Sequence, residues 1–128
     1  MVIDSSAIAA IVLEESDASI YISAITNDSK RLISSATLVE VSIVLMSRRK
    51  ADAITALDTL MMLLSIVVIP VSHDHALLAR EAFRRFGRGR DRAGLNFGDC
   101  FSYALAKHTG EPLLYKGNEF THTDIAAA

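Results

Sequence analysis

A chain of 128 residues, 51% of them hydrophobic, has the length of one domain, residues 1–128, and can bury about two thirds of its unfolded surface. Its single cysteine, Cys100, excludes an internal disulfide and any cysteine-built zinc cluster. The formal net charge of −2 hides six arginines, Arg80, Arg84, Arg85, Arg88, Arg90 and Arg92, set against only Glu81 and Asp91, with Arg48, Arg49 and Lys50 as a second basic group, a distribution that suits a polyanionic partner.

Residues 1–3 read as a short apolar strand that runs into Asp4, Ser5 and Ser6, side chains that cap helices. An alanine- and isoleucine-rich helix follows, ending near residue 14. Ser16 opens a second helix to about residue 28. A short strand over 31–34 leads to a third helix, capped by Ser34 or Ser35 and reaching about residue 50, whose basic end complements the helix dipole. A fourth helix over 52–64 precedes the continuous β-branched run 66–69, a strand stopped by Pro70. Residues 60–71, the longest apolar stretch, contain Ser65 and Pro70 and fall short of the roughly 20 residues of a membrane span. The chain opens without the basic region and apolar run of a secretory leader, so a cytoplasmic location with no membrane partner is expected.

Ser72 caps a fifth helix to about residue 86. Residues 87–94, glycine- and arginine-rich without periodicity, predict a mobile loop. Asn96 caps a sixth helix through residue 108 with Gly110 past its end, and 112–115 is a fourth strand. The remainder, with its alanine tail, reads as turn and coil. Apolar strands alternating with helices predict an α/β fold, its parallel sheet covered on both faces, with ligands beyond the carboxyl ends of the strands. That edge carries four isolated acids: Asp4 after strand one, Glu40 past strand two, Asp99 at the start of the sixth helix and Glu119 after strand four.

Apolar or small residues flank the first three of these acids. Burying a carboxylate costs several kcal/mol unless it is paired or holds a metal, so converging acids point to a divalent cation. Each also has an ordinary reading. Asp4 fits a helix N-cap, Asp99 sits in a first turn where the dipole favours a negative charge, and Glu119 fits a solvated turn. Glu40 is the most telling, because its neighbours three and four positions away are Ala36, Thr37, Ile43 and Val44; its competing role is an ion pair with an arginine. His73 and His75, two apart at a helix start, share no face and read as surface histidines. Cys100 reads as a small buried hydrophobe, Asp124 has no partner that the sequence identifies, and 87–92 lacks the lysine and hydroxyl of a phosphate-cradling loop.

Four pieces in order, Met-Val-Ile-Asp4-Ser-Ser-Ala, Ser-Ser-Ala-Thr-Leu-Val-Glu40, Leu-Asn-Phe-Gly-Asp99-Cys-Phe-Ser-Tyr-Ala-Leu-Ala-Lys and Leu-Leu-Tyr-Lys-Gly-Asn-Glu119-Phe, cover nearly the whole chain. In these it resembles the PIN-domain ribonucleases, specifically the VapC-type toxins of bacterial toxin–antitoxin pairs. The resemblance implies a three-layer α/β/α fold with a central, mainly parallel sheet of four to five strands. It further implies a Mg²⁺- or Mn²⁺-dependent endoribonuclease with Asp4 and Asp99 as metal ligands and Glu40 and Glu119 completing the catalytic acids. The implied partners are RNA, a VapB-type antitoxin that occludes the site, and a second copy of the chain. Ser5 stands where threonine is usual, and Asn118 where many relatives carry aspartate, leaving the fourth position to Glu119 or Asn118. A haloacid-dehalogenase-type phosphatase would need an aspartate in place of Ser6, and a phospho-acceptor receiver would need acids that are missing here. The remaining rival is a weakly active PIN-fold binding module, acting as antitoxin partner and transcriptional co-regulator.

Overall fold

Side chains alternate across the strands of the computed structural model, and that alternation sets the layers. The structure describes residues 1–48 and 52–128. Strands β1 (Val2–Ile3), β2 (Leu32–Ser34), β3 (Val67–Ile69) and β4 (Leu113–Leu114) lie side by side in the order β3-β2-β1-β4. All pairings are parallel, with Val2 level with Leu32 on one side and Leu113 on the other. Ile3, Ile33 and Leu114 enter one core with Ile8, Ile25, Val41, Leu45 and Leu57. Their neighbours Val2, Leu32 and Leu113 enter a second core with Ala82, Leu95, Tyr103, Leu105 and Phe120. The first core is covered by α1 (Ser5–Val12), α2 (Ala18–Asn27), α3 (Ser35–Ser47) and α4 (Ala53–Leu63), the second by α5 (His73–Phe86) and α6 (Phe97–Thr109). The expected α/β/α layering is present. No helix among the described residues is long and apolar enough to cross a membrane.

Several local expectations differ. The second helix begins at Ala18 with Asp17 at its N-cap position, but the Asp17 side chain makes no cap bond; its carboxylate accepts from Lys116 Nζ at 2.8 Å and from the Tyr21 hydroxyl at 3.3 Å. The third helix ends at Ser47, and of the basic group expected to close it only Arg48 is described, Arg49 and Lys50 lying outside the described residues. β3 is an edge strand rather than a covered one, so Val67 and Val68 are 53% and 39% exposed. The segment expected to be a mobile loop is folded back on itself: Arg88 N–H donates to Leu95 O at 2.9 Å and Leu95 N–H to Phe86 O at 2.9 Å, with Ala93 and Leu95 buried as anchors. His75 is not a surface histidine. It is 5% exposed, accepts at Nδ1 from Ser72 N–H at 3.4 Å, and meets the His108 ring edge-on at 4.6 Å between centroids. Docking of α5 on α6 buries it.

The tail read as coil contains a short 3₁₀ turn, Phe120–His122, and then pairs with the outer edge of β4. Leu113 N–H donates to Ala126 O at 2.9 Å and Ala128 N–H to Leu113 O at 3.0 Å. Asp124 fastens this tail. Its carboxylate accepts from the Tyr103 hydroxyl at 2.7 Å and from Lys107 Nζ and Arg85 guanidinium at 3.1 Å each. Burial opposes ionisation of Asp124, but these three donors outweigh it and hold the carboxyl at about 2 against an ordinary 3.8. A depressed carboxyl pKa contributes stability above the unfolded value that disappears as pH falls through the folded one. Asp124→Asn is therefore expected to lower the unfolding free energy measured in urea at pH 7 by about 1 kcal/mol for this partly exposed cluster, an effect that shrinks as pH falls from the unfolded value toward the folded one.

Candidate active site

From β1 the chain steps outward to β2 and β3, then crosses back to place β4 on the other side of β1. That reversal opens a crevice beyond the carboxyl ends of β1 and β4. A cavity of about 260 Å³ lies there, lined by Asp4, Glu40, Asp99 and Glu119 together with Ser5, Ser6, Asn96, Arg88 and Lys116. Acids from four separate stretches of sequence thus share one wall.

Asp4 leaves β1 in extended backbone, caps α1 and is 2% exposed. Its Oδ2 accepts from Ser6 N–H at 3.0 Å and from the Ser6 hydroxyl at 2.6 Å, and its Oδ1 accepts from the Ser102 hydroxyl at 2.6 Å. Ser6 Oγ also accepts from Lys116 N–H at 2.9 Å, which ties the first acidic loop to the last. Asp99 sits in the first turn of α6 and is 8% exposed. It forms a reciprocal capping box with Asn96, accepting at Oδ2 from Asn96 N–H at 2.7 Å while its own N–H donates to Asn96 Oδ1 at 2.9 Å. The cap satisfies one oxygen and fixes the carboxyl at the mouth of the helix.

Glu40 projects from α3 and is half-buried, and its Oε2 is enclosed without a hydrogen-bond partner. Among the described residues no ion pair reaches Glu40, so the arginine expected as its alternative partner is not there. Gly98, on the facing turn of α6, leaves the space that this carboxylate fills; a Cβ at 98 would overlap the Glu40 carboxylate oxygens. Gly98→Ala is accordingly expected to push Glu40 aside. The melting temperature should shift by only a few degrees, because the displaced group is the end of a flexible side chain.

Glu119 is exposed on the turn after β4 and accepts from Asn118 N–H at 3.0 Å. Gly117, at φ +108°, brings the chain round tightly enough that a Cβ there would press on Glu119 Oε2. Of the two candidates for the fourth position, Glu119 lines the cavity and Asn118 does not.

Burial, then repulsion from Asp4 and Asp99, pushes the Glu40 carboxyl up to about 7, against the pull of the neighbouring Ser5 hydroxyl. Burial likewise raises Asp99 to about 6, opposed by the Asn96 N–H, reinforced by Asp4 and Glu119 and eased by Arg88. Lys116 cannot relieve this crowding, since its ammonium is engaged by Glu15 at 2.5 Å and Asp17 at 2.8 Å. Arg88, on the anchored loop, is the arginine of the 80–92 segment that lines the cavity. Arg84 and Arg85 are paired with Glu81 and Asp124, and Arg90 lies over the Phe83 ring.

These residues fit a hard divalent cation in donor chemistry. All four acids offer oxygen, one oxygen is buried without a partner, and two of the carboxyls have their proton affinity raised by burial and, less, by mutual repulsion that a cation would relieve. Among the described residues no three acids, histidines or cysteines close around one point on their own. Mg²⁺ asks for less, keeping several waters and taking one or two protein carboxylates. Cys100 is 4% exposed with its thiol pushed up to about 11 by burial, which suits the small hydrophobe expected. Sequence reasoning missed the two fully buried hydroxyls below Asp4, Ser102 and Thr37. Their one visible signal is spacing, three residues from Asp99 and from Glu40.

Residues 1–126 match the PIN domain family. The chain is 48% identical over 127 residues to "Ribonuclease VapC" of Mycolicibacterium smegmatis, covering 99% of this chain and 98% of that protein. It is 49% identical over 129 residues to "Ribonuclease VapC28" of Mycobacterium tuberculosis, covering 100% and 97%. The fold superposes on the crystal structure of Mycobacterium tuberculosis VapC20, a sarcin-ricin loop cleaving toxin, with a TM-score of 0.80 at 18% identity over 99% of this chain and 97% of that one. The chain belongs to the PIN-domain family and, within it, to the VapC group.

Proposed function

We propose that this single PIN-type domain, residues 1–128, is an endoribonuclease toxin that hydrolyses RNA phosphodiester bonds with the help of Mg²⁺ or Mn²⁺. The observation that carries the reading is the cavity itself, which Asp4, Glu40, Asp99 and Glu119 all line at the switch point of the sheet, with one Glu40 oxygen buried and unpartnered. Asp4 and Asp99, each fixed by hydrogen bonds from the protein, would hold the cation. A divalent cation bound there supplies positive charge against that developing on the phosphoryl oxygens.

The protein supplies the rest. Glu40, whose proton affinity lies near neutrality, accepts the proton of the attacking water on its carboxylate. The water oxygen bonds to phosphorus as the bond to the leaving ribose oxygen breaks, and that oxygen takes up a proton from solvent while Glu40 returns its own to solvent. Glu119, at the open side, orients the water, and Arg88 holds a neighbouring phosphate. The binding-module alternative is not favoured, because a fourth carboxylate, Glu119, still lines the cavity.

A VapB-type antitoxin and a second copy of the chain are the protein partners of this reading. They are supported by the exposed apolar side chains of Val39, Ile43, Met46 and Phe97 near the acids, 55–79% exposed. An RNA substrate is in keeping with a cytoplasmic location. The test is cleavage of labelled RNA before and after chelation: activity should fall more than about 10²-fold without divalent cation and return with Mn²⁺. Cleavage that persists at full rate in chelator overturns the proposal.

A further inference from the structure

Beneath the acids lies a hydroxyl pair whose direction can be deduced. Ser102, on α6, is 0% exposed and lies 2.6 Å from Asp4 Oδ1; Thr37, on α3, is 0% exposed and lies 3.1 Å from Ser102 Oγ. A carboxylate only accepts, so Ser102 donates its one proton to Asp4 and must accept from Thr37. Ser102 stands one helical turn after Asp99, and Thr37 one turn before Glu40. The chain of bonds therefore joins the three elements that carry the buried acids. Asp4 Oδ2 is already held by two donors from Ser6, so the Ser102 bond is what fixes the second oxygen and with it the rotation of the whole carboxyl group.

We propose that Ser102 is a positioning residue that orients Asp4 Oδ1 for a divalent cation and so sets the affinity of the site, with Thr37 supporting it from behind. Groups that hydrogen-bond a metal's ligands, rather than the metal, commonly change affinity by 10–100-fold when removed. This rests on the reading of Asp4 as a cation ligand.

The test is Mn²⁺ binding to the full chain, measured by calorimetry and by the paramagnetic resonance of free Mn²⁺, for wild type, Ser102→Ala, Thr37→Val and Asp4→Ala. Alanine suits a helix interior, so Ser102→Ala should fold. Should it not, Ser102→Cys, which keeps the shape and weakens the donor, is measured in its place. The expected result is a Kd raised about tenfold in Ser102→Ala, less than about threefold in Thr37→Val, and binding lost in Asp4→Ala. Wild-type affinity in Ser102→Ala with binding lost in Asp4→Ala overturns the role of Ser102 and leaves the cation site standing. Equal losses in Ser102→Ala and Thr37→Val overturn it too, since the effect then belongs to packing. Undiminished binding in Asp4→Ala overturns the cation site itself, and the proposal with it.

Discussion

Asp99→Asn should reduce RNA cleavage by on the order of 10²-fold or more while leaving the fold intact. The substitution keeps an oxygen that can accept from Asn96 N–H, so the capping box at the mouth of α6 survives. What it removes is the negative charge that crowds Asp4 and Glu119. Loss of that repulsion should hold or slightly raise the stability of the metal-free protein at pH 8, so inactivity could not be blamed on unfolding. Asp4→Asn is the less clean variant. All three groups around Asp4 donate to it, and an amide there turns an NH₂ toward one of them, forcing the Ser102 and Thr37 hydroxyls to reverse. Its expected signature is the same loss of cleavage with a stability cost of about 1–3 kcal/mol. Circular dichroism and urea denaturation beside the cleavage assay separate the two.

Glu40→Gln should abolish cleavage and stabilise the metal-free protein at pH 8. Glu40 keeps its proton to about pH 7 in the folded state but releases it near 4.5 when unfolded. Between those values the folded state binds more protons, so this group's contribution to stability falls as pH rises through the window and is unfavourable above it. Asp99, raised from 3.8 to about 6, acts with the same sign over a lower window. Glutamine stays neutral and keeps the shape. In chelator at pH 8 it should gain about 1–2 kcal/mol over wild type, the larger value implied by the shift being reduced because the side chain is only half-buried. Below pH 4.5 the difference should vanish. Mn²⁺ should stabilise wild type more than Glu40→Gln, because only wild type has the full repulsion for a cation to relieve. Equal stability of the two proteins at pH 8 would show that Glu40 carries no such strain.

What the sequence revealed follows from how local each cause is. Asn96 as the cap of α6 and Gly110 beyond its end were readable because capping involves residues three apart. The burial of Glu40 was readable from neighbours one turn away. The acids' common edge followed from strand–helix alternation, since a parallel sheet has one carboxyl end. The misses involve partners far apart in sequence. Ser102 bonds across 98 residues to Asp4 and 65 to Thr37, and Asp124 collects Tyr103, Lys107 and Arg85 from two helices. His75 was misread because two histidines at a helix start look solvated until a second helix covers one. The alanine tail has no strand propensity, and its pairing answers the need of the β4 edge for backbone partners.

The double use of the Ser6 hydroxyl has a consequence for how the protein works. Donating to residue 4 and accepting from residue 116, one oxygen commits two distant loops to a single relative position at the moment the chain folds. The conformational freedom of these two loops is thus given up on folding rather than left to be lost on binding.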